Sequence, residues 1–151
     1  MTTAATDSTA AATFAKASIT IDLAQRILAA AMASAAEYGF PMVIAIVDES
    51  GVLKAFSRMD GANALAMQMA QDKAYTATFG LATDAWPEFL AKRDPPLSSG
   101  AYTGIERLVT FGGGLPIRVD DAIVGGIGVS GGPCEVDVAQ AGLAVLDGQD
   151  R

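Results

Sequence analysis

The 151-residue chain contains no histidine. That absence excludes imidazole-based catalytic triads, His-ligated zinc and a haem held by a proximal histidine. Cysteine occurs once, as Cys134, so no intrachain disulfide can form and a disulfide-stapled secreted scaffold is ruled out. Positive charge is scarce: Lys and Arg total 10 against 17 Asp and Glu, a formal charge of -7. With no cluster of basic and aromatic residues, a nucleic-acid partner is not expected. No window approaches the ~20 apolar residues of a membrane span. The Ala-rich stretch at 27–36 is too short and is flanked by helix signals. Residues 1–18 are mainly Ala, Thr and Ser, with neither the apolar run of a signal peptide nor a basic leader. They read as a disordered tail before a domain at 19–151, and the location expected is cytoplasmic.

What is present points to one domain of ordinary size. Hydrophobic residues make up 51% of the chain and charged residues 18%, more apolar surface than a lone small domain needs, which suggests a homo-oligomer. Thr20 is placed to cap a helix with Leu23, Ile27, Ala31 and Ala35 on one stripe, ended by Gly39 and Pro41. Met42 to Val47 lacks alternation and is rich in β-branched residues, as in a strand covered on both faces. Asp48-Glu49-Ser50-Gly51 then turns the chain into a hairpin partner at Val52–Arg58. A second helix is predicted from Asn63 to Phe79, with Leu65, Met69, Ala70 and Ala77 on its packing side. Residues 84–100, with Pro87, Pro95 and Pro96, read as one short helix and an irregular loop that could act as a lid. Arg107–Phe111, Leu115–Val119 and Ala122–Val129 read as three antiparallel strands, and a helix from Glu135 to Leu146 closes the chain. The pattern predicts an α+β fold with a five-stranded antiparallel sheet flanked by helices.

Several segments in order carry a family resemblance. The Pro41-to-Asp48 strand is followed by Gly51, then by Arg58-Met59-Asp60-Gly61-Ala62 and by Asp72-Lys73-Ala74-Tyr75-Thr76-Ala77. After these come Gly112-Gly113-Gly114-Leu115-Pro116-Ile117 and Val124-Gly125-Gly126-Ile127-Gly128-Val129-Ser130-Gly131-Gly132. Over Ile19 to Leu146 the chain resembles the GlcG/HbpS family, whose members are also described as haem-degrading or PduO C-terminal-like. The resemblance implies a profilin-like sheet, dimers or larger homo-oligomers, and a site between subunits or beside the glycine loops. Some members bind haem or corrinoid-related ligands. Because this chain has no histidine, no cofactor is predicted for it and haem is disfavoured.

The Gly112–Gly114 loop before Pro116 can expose consecutive backbone N–H groups as an anion-binding nest; its plain alternative is a tight turn. Gly126-Ile127-Gly128-Val129-Ser130-Gly131 fits G-x-G-x-x-G, but a dinucleotide site needs an early βαβ unit and an acidic residue on a second strand about twenty positions later, where this chain ends, so such a site is not expected. Pro133-Cys134-Glu135-Val136-Asp137 opens the last helix. There Glu135 or Asp137 can serve as a general base or merely as a cap, and Cys134 reads as a packed residue. Arg58 can fork onto a substrate carboxylate or pair with Asp60. Lys73, in an apolar helical stretch, can be a depressed-pKa base or a paired lysine. Tyr75 and Tyr102 are possible proton donors or core rings. Met59, Met67 and Met69 read as core filler and not as metal ligands. The leading expectation is a small-molecule catabolic enzyme working by proton transfer (isomerase, tautomerase or lyase) on a small anionic oxo- or hydroxy-compound. Its catalytic groups would be Glu135, Asp137, Lys73 and Asp60, and its substrate contacts Arg58, Gly112, Gly113, Gly114, Pro116 and Tyr102. The alternative is a non-catalytic haem or tetrapyrrole binder without a histidine ligand.

Overall fold

A computed structural model describes residues 11–148. Residues 1–10 of the expected tail, and the last three of the expected domain, lie outside the described residues. From Ala11 to Ser18 the chain has no helix or strand, yet Lys16 reaches Glu49 at 3.3 Å and donates to the Ser50 hydroxyl at 3.0 Å. The first helix, α1 (Ile21–Tyr38), begins and ends where its sequence signals lie. The Thr20 hydroxyl accepts from the Leu23 N–H, and Gly39 closes the helix in the left-handed conformation. Strands β1 (Val43–Asp48) and β2 (Leu53–Arg58) form the hairpin, its turn held by Asp48 Oδ1 accepting from the Ser50 and Val52 amides.

Helix α2 (Leu65–Ala77) follows, then a single 3-10 turn at Thr83–Ala85 and the short helices α3 (Trp86–Ala91) and α4 (Ser99–Tyr102). Strands β3 (Gly114–Val119) and β4 (Ala122–Ser130) and helix α5 (Glu135–Leu143) complete the fold, with a 3-10 turn at Ala144–Gly148 ending the last predicted helix early. The sheet is antiparallel in the order β2-β1-β4-β3. Pro116 is tolerated because β3 is an edge strand, where a missing N–H breaks no inner ladder.

Among the described residues four strands form, not five. Residues 107–111 make no strand because their backbone is tied to a side chain of α2. The Thr76 hydroxyl donates to the Arg107 carbonyl at 2.8 Å and accepts from the Val109 amide at 3.0 Å, and Arg107 takes a positive φ of 65° that no strand allows.

β1 is covered on both faces, as its unbroken apolar run requires. Met42, Ile44 and Ile46 join Ile127, Val129 and Val138 in the core under α1 and α5, while Val43, Ala45 and Val47 meet Ala66, Ala70 and Ala74 of α2. The predicted packing side of α2 is shifted. Leu65 is 72% exposed, and the stripe that meets the sheet is Ala66, Ala70, Lys73, Ala74 and Ala77. Beneath α2 the sheet presents Gly126 and Gly128, whose added Cβ atoms would stand 2.2 Å from the Ala74 carbonyl oxygen and 1.9 Å from that of Ala70. Backbone on backbone leaves room for alanine and none for leucine. The first two glycines of the G-x-G-x-x-G match are therefore helix-sheet contacts, while the third, Gly131, lies against Pro41 and Met42.

The strap from Lys16 also sets an acid-stability prediction. The Ser18 hydroxyl beside Glu49 is the largest cause holding its carboxyl at about 2, with the Ser50 hydroxyl and Lys16 contributing in the same direction. A carboxyl lowered from 4.5 on folding contributes stability that is full above pH 4.5 and lost as pH falls toward 2. Urea unfolding of wild type and Glu49→Gln from pH 6 to pH 2 is expected to give curves that differ near neutrality and converge in acid. Parallel curves would show that the strap does not act through this charge.

Candidate functional site

Among the described residues Lys73 is the largest fully buried side chain. Its Nζ donates to the Val129 carbonyl at 3.0 Å and to Glu135 Oε2 at 2.6 Å, and it lies 5.0 Å from the centre of the Phe111 ring. Burial pushes the lysine below its usual value, and the adjoining Glu135 carboxylate pushes it back up. The other carboxylate oxygen, Glu135 Oε1, accepts from the Gly131 amide at 2.8 Å and from the Gly132 amide at 3.4 Å. An anion nest thus exists in the glycine loops, but it is the one after β4, and the anion it holds is the protein's own Glu135.

The Gly112–Gly114 loop packs on this pair instead of opening around a ligand. An added Cβ on Gly113 would stand 2.8 Å from Lys73 Nζ and 2.5 Å from the Val129 carbonyl oxygen, and Gly113 has a φ of 120°. The Gly114 amide donates to the Thr83 hydroxyl, and the Gly113 carbonyl accepts from the Val129 amide. Gly112 lies against Val136 of α5. Of the sequence candidates, the fold brings together Lys73, Glu135 and the three glycines.

The other candidates fall elsewhere. Arg58 and Asp60 line a separate cavity of about 430 Å³ with Met32 and Met59, and among the described residues no ion pair joins them. Asp72 pairs with Arg107, not with Lys73. Asp137 is exposed on α5, Cys134 is buried in the α1/α5 core, and Pro116 sits in β3 opposite Gly126.

Tyr102 lines a third place, an apolar cavity of about 270 Å³ roofed by α3 and α4, the segment read as a lid. Its wall includes Phe79, Trp86, Leu90, Arg93, Ile105 and Tyr102. Trp86 is the only tryptophan of the chain. It stacks edge-on between Phe79 and Phe89, with centroid separations of 6.3 and 5.6 Å, and its Nε1–H is buried without a partner. A buried indole N–H without an acceptor costs about 1–3 kcal/mol, so Trp86 is held there by its aromatic packing and not by a hydrogen bond. Phe79 and Ile105, both more than half exposed, extend the apolar surface beyond the cavity mouth. Sequence reasoning passed over Trp86 and Arg93. The available signal was a lone tryptophan beside Pro87 in a segment otherwise read as irregular.

The family model described as "Haem degrading protein HbpS-like" matches residues 19–145. An uncharacterized 15.0 kDa protein from the dhaT-dhaS intergenic region of Citrobacter freundii is 35% identical over 127 residues, covering 80% of this chain and 85% of that protein. Among solved structures, Klebsiella pneumoniae protein ORFY superposes with a TM-score of 0.82 at 26% identity, over 92% of this chain and 97% of that one. A PduOC:heme complex superposes with a TM-score of 0.76 at 28% identity, over 86% of this chain and 96% of that one.

Proposed function

The chain belongs to the HbpS-like family, and on that premise we propose that it is a binding protein for a flat, apolar-bodied acid of the tetrapyrrole class, working as a homo-oligomer. The observation that carries this reading is the aromatic cavity lined by Phe79, Trp86 and Tyr102, with Arg93 among its lining residues. Apolar rings suit the body of a porphyrin, and a guanidinium suits its carboxylates by paired charge-assisted hydrogen bonds. At about 270 Å³ the cavity lies below the range that encloses a drug-sized ligand, so it takes one edge of a macrocycle and leaves the rest against the exposed apolar rim of Phe79 and Ile105. That exposed remainder is what a second subunit would cover. Among the described residues no helix is long and apolar enough to cross a membrane.

Titration with haemin tests the proposal. A saturable shift of the Soret band is expected, with affinity weakened about tenfold in Arg93→Gln, the worth of about one charge-assisted hydrogen bond. A linear, unsaturable response of the wild-type protein overturns it.

A second reading, proton transfer through Lys73 and Glu135, is favoured by the lowered affinity of the buried lysine for its proton. It ranks second because Nζ already serves Val129 and Glu135, and Gly113 seals it from one side. Deuterium uptake by a panel of small 2-oxo acids, present with the protein and absent with Lys73→Met, would raise it to first. No uptake by any of them removes it.

A further inference from the structure

We infer that Lys73 Nζ and the Gly131 and Gly132 amides form a carboxylate-binding site that the protein keeps filled with its own Glu135, and that a short-chain monocarboxylate enters by displacing that side chain. The tetrapyrrole reading is separate, since none of these groups lines the aromatic cavity. Glu135 is held by its two carboxylate oxygens: Oε2 accepts from Lys73 Nζ at 2.6 Å, and Oε1 accepts from the amides of Gly131 at 2.8 Å and Gly132 at 3.4 Å. The donors thus recognise the carboxylate head and not the stem behind it, so another carboxylate can satisfy them equally. Lys73 has a further donor to offer. Of the three N–H bonds of an ammonium, one goes to the Val129 carbonyl and one to Glu135, and the third has no oxygen partner among the described residues.

Access is from the Glu135 side. Gly113 closes the opposite side of Nζ, and the Lys73 side chain is 0% exposed while that of Glu135 keeps 20%. The Phe111 ring, 51% exposed and centred 5.0 Å from Nζ, offers apolar surface to the chain of a bound acid. The Asp84 carboxylate stands beside Gly112 of the same loop, 3.6 Å from where its Cβ would be, and disfavours a second negative charge on the ligand. Exchange strands no buried ion, because the incoming carboxylate compensates Lys73 as Glu135 moves into water. The tethered Glu135 nonetheless competes, and it weakens the apparent affinity by the fraction of time it leaves the site empty. Glu135→Ala removes that competitor, and the carboxymethyl group it deletes has the size and charge of acetate.

The experiment titrates acetate into isotope-labelled wild type, Glu135→Ala and Glu135→Ala/Lys73→Met, and follows the amide resonances of Gly131 and Gly132 by NMR. Wild type is expected to show weak, saturable shifts of both resonances. Glu135→Ala is expected to bind acetate about a hundredfold more tightly, as the loss of an occupant present about 99% of the time requires. Its Tm should rise as acetate saturates it. The double variant is expected to show no saturable shift. Glu135→Gln keeps the bulk of the side chain and loses its charge, so it replaces Glu135→Ala if that variant does not fold, and it too is expected to bind acetate more tightly than wild type. Wild-type resonances that do not respond to acetate overturn the inference. Equal affinities in wild type and the Glu135 variant also overturn it, because acetate would then not be competing with Glu135. A response that persists in the double variant does the same by removing Lys73 from the site. None of these outcomes touches the haemin titration, which reads the tetrapyrrole proposal separately.

Discussion

Gly128→Ala is expected to cost about 4 kcal/mol or more, enough to leave a domain of ordinary stability mostly unfolded. The added Cβ would meet the Ala70 carbonyl oxygen at 1.9 Å and the Ala74 amide nitrogen at 2.5 Å. Both are backbone atoms of α2, so no rotamer change relieves the clash, and the helix must move away from the sheet as a body. That movement opens the contact of Ala66, Ala70 and Ala74 with Val43, Ala45 and Val47. It also draws Lys73 away from Glu135. Urea unfolding followed by circular dichroism checks the effect, with Gly100→Ala as control. Gly100 has open space around its Cβ position, so alanine there is expected to stay within about 0.5 kcal/mol of wild type. A Gly128→Ala midpoint close to wild type would mean that α2 does not seat on the backbone of β4.

The second large effect is expected from Lys73→Met. The methionine keeps most of the buried stem but leaves Glu135 Oε2 facing an apolar group. Removing one partner of a buried pair typically costs about 3–5 kcal/mol. Because the Glu135 side chain keeps 20% of its exposure, a loss near the lower bound is expected. In a chain of this length about 3 kcal/mol corresponds to a fall in Tm of roughly 10 °C. Adding Glu135→Gln should restore part of it, since a neutral amide oxygen can still accept the Gly131 N–H without an uncompensated charge. If the double variant melts no higher than Lys73→Met, the pair contributes through packing and not through charge.

These two variants mark where sequence reading succeeded and where it stopped. The segments whose structure depends on near neighbours were legible. Thr20 and Gly39 bound α1, Asp48 and Gly51 make the hairpin turn, and the unbroken apolar run of β1 means burial on both faces. The same reasoning failed at 107–111, where a β-rich run is captured by the Thr76 hydroxyl, 31 residues away from Arg107. It failed again on α2, because periodicity ranks side chains by apolarity. The facing strand, however, carries glycines that admit only alanine.

The candidate site divides in the same way. Lys73 and Glu135 were legible as chemically capable residues, but their pairing across 62 positions of sequence was not. Asp72, the neighbour in sequence, is drawn to Arg107 instead. The cavity residues Trp86 and Arg93 were announced only by a lone tryptophan beside Pro87, since their significance lies in what the α3–α4 roof encloses.

By itself the sequence determined the class of the protein and its exclusions. An α+β chain without histidine, with one cysteine and a charge of -7, cannot use imidazole ligation or an internal disulfide, and it is poorly suited to a nucleic-acid surface. Only the tertiary structure decided what the glycines are for. In sequence, Gly112–Gly114 read as an anion cradle or a tight turn, and Gly126 and Gly128 as places where the backbone passes close to packed neighbours or a ligand. A glycine's role is set by the atom standing where its Cβ would be, and that atom comes from a distant part of the chain. For Gly113 these are the Val129 carbonyl oxygen and Lys73 Nζ, for Gly126 and Gly128 the carbonyls of α2, while the anion nest at Gly131 and Gly132 is filled by Glu135.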